Sequence, residues 1–307
     1  PRPATDRDRA SIAAERELHA TLDAAWPHTP PTPADRRSRI AALDRVQASF
    51  ATAGDTWGRA RTLVPLALIA INGELWDRVE PALPDAIALW RQLDDPPSLA
   101  YALNLQALYL EATGHMAAAE PFATEAYALS KAHGDLPMAS LVANNLGIIH
   151  DSLGDAETAY DRFTEALALR TQSGRGVSET TALLNLARVA ANLGALEDAK
   201  ALHERARPLL TRPETTSTAR IAANNYGNLL RRMGDLDGAL RLHHEALALG
   251  ERLQSPAGEA QALNGIGTDL FELGRPAEAE EYQGRSVAIR RSLSDPAGLA
   301  AVLQNLG

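Results

Sequence analysis

The chain repeats itself every 40 residues, and this period constrains its fold more than any other feature of the sequence. One glycine column and three columns of small residues run in phase over about 200 residues, far beyond what chance would produce. The four columns are Gly114, Gly154, Gly194, Gly234 and Gly274; Ala107, Gly147, Ala187, Gly227, Gly267 and Gly307; Ala119, Ala159, Ala199, Ala239 and Ala279; and Ala126, Ala166, Ala206, Ala246 and Ser286. Such a period is typical of arrays in which each unit is stable only against its neighbours.

Each period is predicted to hold two helices joined by a glycine turn. Between Leu141 and Leu153 apolar and small residues recur at helical spacing. Gly154 is expected to end this helix in a left-handed conformation, and Asp155 to cap the next. Small residues in the columns of Gly147 and Ala159 predict that the paired helices approach closely. The sequence therefore predicts an all-α fold of antiparallel helix hairpins.

Composition excludes several classes of function. The 307 residues carry a formal net charge of −9, which argues against a general duplex-binding role. The chain has no cysteine, so disulfides, thiolate zinc sites and cysteine nucleophiles are excluded. Its most apolar stretch, Leu63–Ile71, is too short to span a bilayer, for which roughly 20 residues are needed. We expect a cytoplasmic protein that binds neither nucleic acid nor membrane.

The repeat resembles the tetratricopeptide repeat (TPR). The family pattern is met by Leu146-Gly147, His150, Ala159, Phe163 and Ala166. A period of 40 rather than about 34 residues, with the strings Asn-Asn-Leu-Gly and Asn-Asn-Tyr-Gly, is similar to the kinesin-light-chain-type subclass. The resemblance covers residues 98–307 most strongly. It implies a right-handed superhelical solenoid of helix hairpins.

The chain is predicted to have two parts. Residues 1–53 are interpreted as an N-terminal helical cap or degenerate repeat that contains a Pro-rich loop, with Pro27, Pro30, Pro31 and Pro33. Residues 54–307 are interpreted as the TPR array. Because the sequence stops halfway along the first helix of a further repeat, the array is expected to be incomplete at its C-terminus.

A candidate binding site follows from asparagines in the first helix of each repeat, where this residue is a poor helix former. The resemblance implies that first helices line a peptide-binding groove. The candidate groove residues are Asn145, Asn185, Arg188, Asn192, Asn225, Asn228, Arg231 and Arg232. Amides that pair with a peptide backbone, next to arginines that suit carboxylates, predict a protein or peptide ligand of acidic character.

Two alternatives to this site remain open. The asparagines could form a ladder between neighbouring repeats, without a ligand. The arginines could be solvated side chains that balance Asp151, Asp269 and Glu272.

No catalytic residue, cofactor or metal site is predicted. The sequence holds no Gly-rich phosphate loop, no HExxH and no G-x-S-x-G motif. His203 and His243 occupy the column of Phe163, so we expect them in the core. Any catalytic domain would lie outside this fragment.

The sequence thus favours a protein- or peptide-binding TPR scaffold that is the sensory or regulatory region of a larger bacterial-type signalling protein. One alternative is a quorum-sensing-type TPR regulator with phosphatase or transcriptional output. The other is an oligomerisation scaffold without a peptide ligand, for which self-association is the expected behaviour.

Overall fold

The computed structural model describes residues 6–23, 32–176, 178–295 and 298–299. Within these ranges the regular secondary structure consists of fourteen α-helices and two short 3₁₀ turns, without a strand. The predicted all-α fold is confirmed. The described residues form two compact units, and α8 (Ala156–Ser173) contributes to both, with its residues 156–167 in the second unit.

The first unit is a stack of helices in which each packs against the next along the chain. It extends to Asp155 and includes residues 168–176. Its other helices are α1 (Asp6–Asp23), α2 (Pro33–Ala53), α3 (Thr56–Ile71), α4 (Trp76–Leu93), α5 (Pro96–Ala112), α6 (Met116–Ala132) and α7 (Leu136–Ser152). The first helices of successive hairpins also contact one another: α3 contacts α5, and α5 contacts α7.

The second unit follows the same pattern with one irregular repeat. Its other helices are α9 (Glu179–Asn192), α10 (Leu196–Ala206), α11 (Thr216–Arg232), α12 (Leu236–Arg252), α13 (Pro256–Glu272) and α14 (Pro276–Ser292). Helix α10 has only 11 residues and is followed by the 3₁₀ turns Arg207–Leu210 and Pro213–Thr215. Helices α9 and α13 both contact α11.

Long helices and short joints account for the 40-residue period. Helices α5 and α6 have 17 residues each, and residues 113–115 and 133–135 are the turns that follow them. This period is six residues longer than that of a 34-residue TPR, and the additional residues therefore lie in the helices rather than in the joints.

The glycine turns form as predicted. All five glycines of the 40-residue column adopt positive φ, between 73° and 85°, a conformation that side chains with a Cβ rarely adopt. The turn after Gly234 also shows the expected cap, because an Asp235 oxygen accepts from the backbone N–H of Gly238 at 2.8 Å.

Small residues allow the paired helices to approach closely. The alanines of the column from Ala119 to Ala279 are at most 1% exposed. A Cβ on Gly267 would lie 2.5 Å from Cγ of Gln283 and 3.2 Å from the carbonyl oxygen of Ala279. The close approach that the sequence predicted is confirmed at this crossing.

The N-terminal region contains two helices, of which α2 begins at a capping box. Thr32 Oγ1 accepts from the Asp35 N–H at 3.2 Å, and an Asp35 oxygen accepts from the Thr32 N–H at 2.9 Å. Most of the predicted Pro-rich loop, residues 24–31, and the incomplete final repeat, residues 300–307, lie outside the described residues. No described helix is long and apolar enough to cross a membrane.

Candidate ligand-binding groove

The first unit contains one predicted groove residue, Asn145 on α7, and its amide is used within the protein. Asn145 is 7% exposed, and its Nδ2 donates to Oδ1 of Asn104 at 2.8 Å. Asn104 lies on α5 and is 1% exposed. This bond joins the first helices of two neighbouring repeats, which is the arrangement that the ladder alternative describes. The Asn145 amide is therefore engaged between neighbouring repeats.

The second unit brings five of the predicted residues together in one pocket. The pocket has a volume of about 200 Å³ and lies between the first helices α9 and α11. Its polar lining consists of Arg188, Asn192, Asn225, Asn228 and Arg232, together with His203 from α10. We refer to it as the α9–α11 pocket.

Helical spacing and small residues explain why the pocket exists. Arg188 and Asn192 are four residues apart on α9, so they share one face of that helix. Asn225, Asn228 and Arg232 are three and four residues apart on α11. The other α9 residues in the lining are alanines, which leave the space between the helices open. Asn185 is half-buried one turn before Arg188 and does not line the pocket.

Arg232 gives one edge of the pocket a positive charge. Its Nη2 donates to the carbonyl oxygen of Ala191 at 2.8 Å, in the last turn of α9. Carbonyls at a helix C-terminus lack intrahelical partners and favour a cation nearby. Arg232 forms no ion pair with any carboxylate in the described part of the chain. Because a guanidinium has five N–H groups, the group retains capacity for a ligand carboxylate.

Arg231 does not belong to this pocket, contrary to the prediction that it faces the groove with Asn225. Its Nη1 donates to Oδ1 of Asp269 at 3.1 Å, and its Nη2 donates to Oδ1 of Asn228 at 2.9 Å. Its Nε lies 3.8 Å from Oε1 of Glu272. Successive residues of a helix point about 100° apart, so Arg231 turns towards α13 while Arg232 turns towards α9. The carboxylates that Arg231 holds belong to the protein itself.

Asp269 joins a buried cluster that sequence reasoning missed. Its side chain is fully buried, and Oδ2 lies 2.5 Å from Nδ1 of His243, which is also fully buried. The core location predicted for His243 is confirmed, but its carboxylate partner was not foreseen. A signal existed, because Asp269 stands in a buried column that is otherwise apolar, with Ile149, Val189 and Leu229.

His203 forms a neutral wall of the α9–α11 pocket. It is 5% exposed, as predicted for a core residue, and stacks on Tyr226 with ring centroids 4.8 Å apart and planes 5° from parallel. Burial lowers the pKa of His203 to about 4, so the ring is uncharged at neutral pH. The positive charge of the pocket therefore comes from its arginines.

Comparison with known proteins agrees with this architecture. The tetratricopeptide repeat family model matches residues 138–212 and 218–307, more than half of the chain. The chain belongs to the tetratricopeptide repeat family. A comparison with curated proteins finds no significant match.

Solved structures of TPR proteins share the fold at low identity. The TPR-sensor protein of the Signal Transduction ATPase with Numerous Domains (STAND) class from Pyrococcus horikoshii has a TM-score of 0.73 and 16% identity, over 98% of this TPR chain and 44% of that one. The apo quorum sensor NprR from B. thuringiensis has a TM-score of 0.71 and 12% identity, over 97% and 81%. The kinesin light chain TPR-like repeats of Podosopora anserina have a TM-score of 0.54 and 16% identity, over 65% and 98%. The last match agrees with the kinesin-light-chain-like subclass.

Proposed function

We propose that this TPR chain is a peptide-binding scaffold and that the α9–α11 pocket is part of the groove that holds the ligand. The observation that carries the proposal is the convergence of two arginines and three asparagines in one pocket between first helices. The amides of Asn192 and Asn225 can both donate and accept, so they match the alternating N–H and C=O groups of an extended peptide. The Asn228 oxygen accepts from Arg231, which leaves its Nδ2 as the donor for a ligand. A pocket of about 200 Å³ accommodates one side chain rather than a whole ligand. The rest of the peptide would continue along the first helices of the second unit.

The ligand that fits this pocket is acidic. Of the described residues that line it, two are arginines and none carries a carboxylate. This local positive charge occurs in a chain of net charge −9, so it is not a general property of the sequence. An arginine fork binds a carboxylate through two parallel hydrogen bonds, which gives direction as well as charge. We therefore expect an aspartate or glutamate of the peptide to lie between Arg188 and Arg232.

The broader role that we propose is the sensory or regulatory region of a larger signalling protein. The similarity to the TPR sensor of the STAND protein supports this role through the fold, at 16% identity. The similarity to the quorum sensor NprR favours a second candidate, a quorum-sensing-type regulator with phosphatase or transcriptional output. Both roles require the same peptide groove and differ in the output that the groove controls.

Peptide selection tests the groove with no assumption about the sequence of the partner. A phage library of random heptapeptides is selected on the purified chain, and the most enriched peptide is synthesised and measured by isothermal titration calorimetry. We expect selected peptides to be rich in Asp and Glu. We also expect Arg232→Glu to weaken binding by about tenfold or more, because a charge-assisted hydrogen bond is replaced by repulsion.

Arg291→Glu is the matched control, since Arg291 is an exposed arginine in the last turn of α14, as Arg232 is in the last turn of α11. It should bind within about twofold of wild type. Selected peptides without acidic enrichment, or equal losses in both variants, would refute the proposed groove. Light scattering of the same sample separates a peptide-binding monomer from an oligomerisation scaffold.

A further inference from the structure

The second unit contains another, larger cavity. None of the predicted groove residues lines this cavity. Its volume is about 530 Å³, within the range of small-molecule sites. It exists because α10 stops at Ala206, after 11 residues, whereas α12 and α14 each have 17. Pro208 lies in the 3₁₀ turn that replaces the missing helical turns, and Leu210 and Thr211 line the opening. We refer to this space as the α10 cavity.

The inner wall of the α10 cavity is apolar and uncharged. It is formed by the stacked rings of His203 and Tyr226 and by aliphatic side chains that include Ala222, Leu242 and Leu249. Burial lowers the pKa of His203 to about 4 and raises that of Tyr226 to about 12, so neither ring is charged at neutral pH. This wall suits the hydrocarbon or aromatic body of a ligand.

The rim of the α10 cavity is cationic. Arg207, Arg212 and Arg252 line it, against a single carboxylate, that of Glu245. Glu245 lies 3.3 Å from Nη2 of Arg207, and Arg212 is 4.0 Å from Glu214. Arg252 has no carboxylate partner in the described ranges, and its Nη2 donates to Oγ1 of Thr216 at 2.6 Å. Thr216 is the first residue of α11, whose N-terminal N–H groups add partial positive charge.

The repeat pattern shows that these arginines are not required by the solenoid. Arg207 occupies a column that is otherwise apolar or aromatic, with Tyr127, Leu167, Leu247 and Val287. The column of Arg212 and Arg252 contains uncharged residues in the other repeats, namely Ala132, Gln172 and Ser292. Arginine thus replaces the ordinary residue of both columns only at the α10 cavity. A structural role shared by all repeats does not explain this substitution.

We propose that the α10 cavity binds a small amphiphilic anion, with a carboxylate or phosphate head at Arg252 and an apolar body against Leu242 and Leu249. The Arg252 guanidinium has five N–H groups, and those not used on Thr216 provide donors for either head. The Thr216 hydroxyl donates to the carbonyl oxygen of Pro213 at 2.7 Å, so it positions Arg252 rather than the ligand. The apolar wall excludes water from the body. The site is separate from the peptide groove, with which it shares only His203 among the residues that line either pocket. Binding of an anion in the α10 cavity is therefore tested independently of peptide binding in the α9–α11 pocket.

Isothermal titration of the full chain with three ligands of equal chain length tests the proposal. Octanoate and octyl phosphate carry the two candidate heads, and octanol is neutral. We expect saturable one-to-one binding of at least one anion. Octanol should bind at least about tenfold more weakly than that anion, or not at all. The anion that binds more tightly distinguishes a carboxylate ligand from a phosphate one. Failure of both anions to bind, or equal binding of octanol, would overturn the proposal.

Two variants locate the binding in the α10 cavity. Arg252→Ala should weaken anion binding by about tenfold or more, whereas the control Arg291→Ala should leave it within about twofold. Ala219→Trp places an indole into the cavity from α11, because Ala219 is half-buried and lines it. This variant should abolish binding of both anions while the circular dichroism at 222 nm remains that of wild type. Unchanged affinity in Arg252→Ala, or in a folded Ala219→Trp, would place the binding elsewhere and contradict the assignment.

Discussion

Replacement of Asp269 is expected to destabilise the second unit strongly. The carboxylate is fully buried and accepts from Arg231 Nη1 at 3.1 Å, while its other oxygen lies 2.5 Å from Nδ1 of His243. Asp269→Leu removes the charge that balances Arg231 and leaves the polar nitrogen of His243 without a partner. Loss of one member of a buried ion pair costs about 3–5 kcal/mol. The Arg231 side chain is 21% exposed and keeps Glu272 nearby, so we expect the lower end of this range.

The repeat itself supplies the compensating change. Leucine is the residue of the same column at position 229, and Phe163 stands in the column of His243. The double variant Asp269→Leu with His243→Phe therefore restores the apolar pair of the regular repeats. Replacement of a buried charged network by apolar residues of similar volume is often neutral or stabilising. We expect the double variant to recover most of the stability that Asp269→Leu loses.

Urea unfolding followed by circular dichroism measures the free energy of unfolding of all four members of this cycle. Because repeat arrays need not unfold in one step, hydrogen exchange of the α13 amides is measured in parallel. We expect the effects of the two substitutions to be strongly non-additive. Additive losses, or a cost of Asp269→Leu below about 1 kcal/mol, would show that the buried cluster does not stabilise the unit.

Three further predictions concern packing, capping and acid sensitivity. Gly267→Ala should lower the free energy of unfolding by about 1–3 kcal/mol, because the new Cβ meets Gln283 and Ala279. The control Gly284→Ala places a Cβ with nothing within 4 Å and should raise the free energy of unfolding by about 0.5–1 kcal/mol. Equal effects of the two variants in urea unfolding would contradict the close crossing. Asp235→Ala should cost about 1 kcal/mol in the same assay through loss of the cap to Gly238, and no change would show that the cap contributes nothing. The pKa of His203 is about 4 in the folded chain and 6.5 in the unfolded chain, so the unfolded state binds the proton first as pH falls. The free energy of unfolding therefore decreases between about pH 6.5 and pH 4, by about 3 kcal/mol in total. His203→Phe should remove this part of the loss between pH 7.5 and pH 4.5, and an identical pH profile would refute the assignment.

The fold could be predicted from the sequence because its determinants recur in successive repeats from residue 98 onwards. Gly234 with Asp235 marks a turn, and buried small residues such as Gly267 mark a helix crossing. Each of these signals depends on residues within one hairpin. Forty-residue columns repeat the same signal several times, which makes it unmistakable.

The site was predicted only in part because its details depend on departures from the repeat. Arg231 and Arg232 look equivalent in sequence, but Asp269 in the following repeat draws Arg231 away from the pocket. Asn145 turns to Asn104 in the preceding repeat in the same way. Partners of this kind lie about 40 residues away, so spacing within one helix does not reveal them. The early end of α10, which opens the larger cavity, is likewise a local exception.

A charge exchange between the chain and its ligand shows whether Arg232 holds a carboxylate of the bound peptide. The selected acidic peptide and a version with one Asp changed to Lys are titrated into the wild-type chain and into Arg232→Glu. We predict that the wild type prefers the acidic peptide by about tenfold or more, and that Arg232→Glu reverses or abolishes this preference. Each Asp of the peptide is changed in turn. If the wild type and Arg232→Glu show the same preference for every one of these peptides, Arg232 does not hold a ligand carboxylate.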